Sequence, residues 1–191
     1  NVTIKHSRFA GLHCEDALNI ILSRFEVDYV EIHKSNADAL DSDFSQGRIS
    51  NSTFRSNHND DLDISNSNVE LHSSTFLNAG DKSISAGEGS KLEVRGITIK
   101  GSAAGIVSKD RSVVNVWNSS LTDVGTGLMA YRKKNEWGSA SLNCYECVFR
   151  EVGSVAVRQS SSTITLDGRN VWASPFSREQ LRIAGYVRSN P

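Results

Sequence analysis

Aspartates return at a fixed interval near the start of this chain. Asp16, Asp38 and Asp60 stand 22 residues apart, and Lys82 takes the next place in the series. A second set follows three residues later, Asp41 and Asp63, with Asp43 two beyond Asp41. If equal places in successive repeats are neighbours in space, these carboxylates stack about 5 Å apart. Such a stack raises a pKa, recruits a cation or leans on a lysine, and Lys82 is placed for the last of these. Clustered hard oxygen ligands suit Ca2+, which makes Asp38, Asp41 and Asp43 the candidate metal ligands. Further along the same face come Glu88, then Lys109 and Asp110 one repeat on, then Tyr131, Arg132 and Lys133 in the repeat after that. The face runs from acidic to basic. It suits a polysaccharide groove with Asp60, Asp61, Asp63, Lys82 and Glu88 towards one end, and with Tyr131, Arg132, Lys133 and Trp137 at the other to stack on sugars and grip uronate or sulfate groups. The bland alternative is a ladder of solvated turn aspartates bonded to neighbouring amides.

The elements that would position these groups follow from the apolar residues. One column reads Ile4, Val27, Ile49, Leu71, Val94, Val116, Leu142 and Leu166, with steps of 23, 22, 22, 23, 22, 26 and 24. Five residues after each stands a second column: Phe9, Ile32, Phe54, Phe76, Ile99, Leu121, Cys147 and Val171. A third reads Leu18, Leu40, Leu62, Ile84, Ile106 and Leu128, and resumes at Val155. Stretches such as 67–72 alternate with period two, as a strand does, and the Leu-rich consensus of other solenoids of this period is absent. The prediction is an all-β, right-handed parallel β-helix over 1–176, of about eight coils of 22–26 residues. The right-handed sense follows the preference of parallel crossovers. The coil carrying Tyr131–Gly138 is longer than the rest and predicts a loop beside the groove. Ser177-Arg178-Glu179-Gln180 reads as a capping box and Gly185 as a helix stop, so 177–191 is expected to hold one short helix near 178–184 that covers the open end, or else an irregular tail.

Composition narrows the partners. Charges nearly cancel, with 21 Lys and Arg against 22 Asp and Glu. No overall field would draw nucleic acid or a membrane surface, and no apolar run reaches bilayer length. The first repeat begins at once and Asn1 is no initiator Met, which reads as a piece of a longer or processed protein. The five histidines are scattered. Cys144 and Cys147 form a Cys-x-x-Cys far from Cys14; with Cys147 in an apolar column, core packing of a thiol is expected rather than a disulfide framework.

The coil pattern resembles the pectin-lyase-like superfamily of right-handed parallel β-helix domains over nearly the whole chain. Asp38–Phe44, Gly80–Glu88, Ser108–Asp110 and Ala130–Lys134 are similar to a bacterial subgroup that accompanies CotH-like kinase or lamin-tail modules on surface proteins. The resemblance implies a secreted or surface domain that binds or processes polysaccharide. In lyases of the superfamily a Lys or Arg base works with a cation that neutralises the uronate, which would give Lys109 and Arg132 the roles of base and charge stabiliser. A hydrolase would instead need two carboxylates roughly 5 to 9.5 Å apart. Too many aspartates here meet that spacing for it to discriminate, and no Gly-His-Gly element is present. The fold also serves as a non-catalytic spacer or adhesin.

Overall fold

The structure, a computed structural model, describes all residues save Leu12, Cys14 and 187–191. It is a parallel solenoid. One sheet stacks eight rungs, from Val2–Lys5 and Arg24–Asp28 through Ser141–Tyr145 to Thr163–Leu166, and Arg169–Asn170 folds back antiparallel on the last. The second sheet begins as separate short strands, such as Thr53–Arg55 and Leu62–Ser65. In the later coils these merge into the long strands Thr98–Lys109, Ser120–Tyr131 and Val148–Arg158.

The coils bend at residues in the left-handed region, one or two at a time, and these too form columns. Leu22, Phe44, Asn66, Glu88 and Asp110 make one corner; Tyr29, Asn51, Ser73 and Asn118 make another. Asn and Asp tolerate this conformation best, which is why so many recur at the bends. Beside the corners run two internal serine ladders. Ser67 Oγ accepts the Ser45 N–H at 3.0 Å and donates to the Ser42 and Ser65 carbonyls, each at 2.9 Å. Ser45, Ser90 and Ser112 continue this pattern, and Ser52, Ser74 and Ser119 repeat it at a second corner. Backbone donors turned inward at each bend are thereby satisfied without water.

The core is the expected set of inward columns, with Val27, Ile49, Leu71, Val94, Phe54, Phe76, Leu62 and Ile84 fully buried. The register past Val116 differs from the sequence reading. Cys144, not Leu142, lies beside Val116; Phe149, not Cys147, beside Leu121; and Ala156, not Val155, beside Leu128. The loop-bearing coil is therefore 28 residues long. A slip of two keeps a side chain on the same face, so Leu142 and Cys144 were interchangeable by pattern. Cys147 falls in the place of a corner serine and is paired with Cys144 as a disulfide, which corrects the expectation of a free core thiol. Cys14 lies outside the described residues.

The capping box holds: Ser177 Oγ accepts from Gln180 N, and Gln180 Oε1 accepts from Ser177 N. The helix spans Arg178–Ile183. It does not cover the open end. Ile183 and Ala184 pack with Ala104, Val107, Met129, Tyr131 and Val157 on the outer face of the later coils. Gln180 Nε2 adds a hydrogen bond to Thr126 Oγ1 at 3.3 Å. Those outward positions are Ala, Val and Met where earlier coils carry Asp, and an exposed apolar strip of this kind is what a helix buries.

Candidate functional site

The outward face thus has two halves. The later coils lie under the helix, and the earlier ones form an open acidic shelf. On it Asp41 and Asp63 are direct neighbours in register, flanked by Asn19 on one side and Ser85 on the other.

The aspartates nearest the corner are tied to the backbone. Asp16 Oδ1 accepts the Asp38 N–H at 3.3 Å, Asp38 Oδ1 accepts the Asp60 N–H at 2.9 Å, and Asp60 Oδ1 accepts the Lys82 N–H at 3.0 Å. Each carboxylate therefore fastens the next coil. Lys82 ends the series: its Nζ lies 3.2 Å from Asp60 Oδ1 and also meets Asp81. Burial opposes the lysine charge, but the two carboxylates outweigh it and hold Lys82 above its ordinary range. Asp61 points the other way, into the coil. It is fully buried; Oδ1 accepts from Asn57 Nδ2 at 2.7 Å, and Oδ2 has no partner. Burial, with Asp60 and Asp38 adding to it against the Asn57 bond, pushes its carboxyl up to about 8. Asp61 lies buried beneath the shelf and offers no surface to a ligand on it, which corrects its placing among the groove residues.

On the shelf itself, Asp41 is half-buried and accepts from Asn19 Nδ2 at 3.3 Å. Burial, then Asp43 and Asp63, raise it to about 7. Asp43 is likewise raised, by burial and then by Glu88 and Asp63. Lys109 reaches back across Gly87 to put Nζ 3.6 Å from Asp63 Oδ1. Any side chain at position 87 would strike it, since a Cβ there would lie 2.7 Å from Lys109 Cε. Lys134 from the long loop pairs with Glu88.

Among the described residues no group of three His, Cys, Asp or Glu side chains is placed to hold a metal ion, so the expectation of Ca2+ at Asp38, Asp41 and Asp43 rests on the sequence pattern alone. Asp38 turns to the backbone while Asp41 and Asp43 stay on the strand. Tyr131 is corrected as a sugar platform. It is 1% exposed, sealed edge-on by Phe176 at 5.9 Å and Tyr186 at 6.0 Å. Trp137 is half-buried with its six-membered ring against Gly89. Lys133 sits beside Gly185, and burial, with Lys109 and Lys82 nearby, lowers its pKa. Arg132 lines a separate cleft that contains none of the shelf residues, so Lys109 and Arg132 do not share a site.

The sequence reading gave no role to Asp81 or Arg182, and placed Asp110 on the face without its anchoring role. Asp110 is fully buried and accepts the Lys133 and Lys134 amides at 2.6 and 2.8 Å, anchoring the long loop. Its place in the corner column with Glu88 was the available signal. Arg182 lies 3.8 Å from Asp81 and depends on where the helix docks, for which the sequence carried none.

No curated protein and no solved structure matches the chain. A family model does, the one described as a right handed beta helix region, over residues 1–171. With the parallel rungs, the repeating corners and the stacked inward columns all falling inside that match, the chain belongs to the right-handed β-helix family.

Proposed function

We propose that this domain works outside the cell as a polysaccharide-binding module, and that the shelf of Asn19, Asp41, Asp43 and Asp63 takes polymers rich in hydroxyl and amino groups rather than uronates. The observation that carries this reading is the pairing of three of the lysines that border the shelf. Lys82 is held by Asp60 and Asp81, Lys109 by Asp63 and Lys134 by Glu88, which leaves a shelf of carboxyl oxygens that accept hydrogen bonds and repel anions. Rungs about 4.8 Å apart offer a chain of sugars the same acceptors at each step. The Cys144–Cys147 disulfide supports an oxidising, extracellular setting. A spacer role has its own support in the Asp16, Asp38 and Asp60 ladder, whose carboxylates serve the fold.

The test is retention of the domain on immobilised chitosan, cellulose and polygalacturonate, with Ca2+ or with a chelator. Retention on chitosan or cellulose that weakens at least tenfold in the Asp41→Asn/Asp43→Asn variant and ignores the chelator is the expected result. Retention on polygalacturonate alone would reverse the ligand class, and no retention on any of the three would leave the spacer reading standing.

A further inference from the structure

The C-terminal segment does more than cover the later coils. Between it and the corner that follows Tyr131 lies a cleft of about 600 Å3, within the size range of small-molecule sites. Pro175, Phe176 and Leu181 make an apolar wall; Ser160, Ser161 and Arg132 make the polar side.

Arg132 is held there by its backbone. Its N–H donates to Gln159 Oε1 at 2.8 Å, its carbonyl accepts the Tyr186 hydroxyl, and Gln159 Nε2 donates to that same hydroxyl at 2.7 Å. Two side chains from different parts of the fold thus fix the position of this one residue. The guanidinium itself has no ion pair or hydrogen bond among the described residues. By contrast Arg182 is paired with Glu179, Arg55 with Glu31, and Arg158 with four carbonyls. An unpaired fork of donors, on a residue whose backbone is held and which lines the same cleft as an apolar wall, matches a carboxylate on an apolar arm, since guanidinium and carboxylate meet through two parallel hydrogen bonds.

We propose that this cleft is a binding site for a small organic carboxylate bearing one apolar arm, the carboxylate on Arg132 and the arm against Pro175, Phe176 and Leu181. The site is independent of the acidic shelf, which would repel such a ligand, and of any glycan bound there.

The probe is 3-phenylpropionate, titrated into the isotopically labelled chain and followed by amide chemical shifts. The control is 3-phenylpropan-1-ol, which has the same arm without the charge. Saturable shifts centred on Ser160, Ser161, Leu181 and Tyr186 are expected with the acid, at least tenfold weaker for the alcohol and in Arg132→Gln. Arg132 is exposed, and an otherwise unchanged spectrum of that variant shows the fold to be intact. The proposal is overturned by the absence of saturable shifts, by shifts centred elsewhere, or by equal binding of acid and alcohol. Undiminished binding of the acid by Arg132→Gln would overturn it as well.

Discussion

Replacing Asp61 with Asn should stabilise this protein, and by an amount that grows with pH. Asp61 has no exposed surface, one bond from Asn57 and an unpartnered Oδ2, and its carboxyl is raised from 3.8 to about 8 in the fold. A folded pKa above the unfolded one means that the native state binds the proton more tightly. The stability this confers is complete below about pH 4 and is lost as pH rises to about 8, at about 1.4 kcal/mol per pH unit. Between pH 4.5 and 7.5 the loss from this one group comes to about 4 kcal/mol, an upper figure that relaxation around the site reduces towards about 2. Asparagine keeps the shape and the acceptor for Asn57 but has no proton to lose. Urea unfolding of both proteins at pH 4.5, 6.0 and 7.5 therefore gives the answer as a difference of slopes. Any fixed cost of the amide cancels, as does the titration of Asp41, which is common to both. Parallel pH profiles would refute the reasoning, because they would mean that Asp61 is ionised in the folded protein or that water reaches it.

Two other outcomes follow from the packing. Ser67→Ala should cost about 1 to 3 kcal/mol in urea unfolding, since it leaves the buried Ser45 N–H without its acceptor; a change below about 0.5 kcal/mol would mean that the serine ladders are incidental. Ile183→Ala should weaken helix docking by about 3 kcal/mol and raise hydrogen exchange and proteolysis over 173–184, with the coils still protected. Equal loss of protection in coils and helix would show that the two unfold as one unit.

Much of the fold was legible in the sequence because a solenoid turns sequence period into contact. The offset of five between the first two columns survives even where the register was misread, for Cys144 and Phe149 keep it as Leu142 and Cys147 did. The capping box around Ser177 was equally local and equally readable. The aspartate series was visible too, but its meaning was not: nothing in the spacing tells whether a carboxylate turns to the next coil's amide, as Asp38 does, or stays on the strand, as Asp41 does.

What the sequence determined by itself was set by neighbours along the chain and by the repeat: the strands, the inward columns as far as Val116 and the start of the helix. Only the tertiary structure decided where the helix lies. Its resting place on Val107, Met129 and Tyr131 brings together residues far apart in the chain with no periodic relation, through non-directional apolar burial that leaves no pattern to read. That single docking buries Tyr131, places Arg182 near Asp81, confines the open shelf to the early coils and creates the cleft at Arg132.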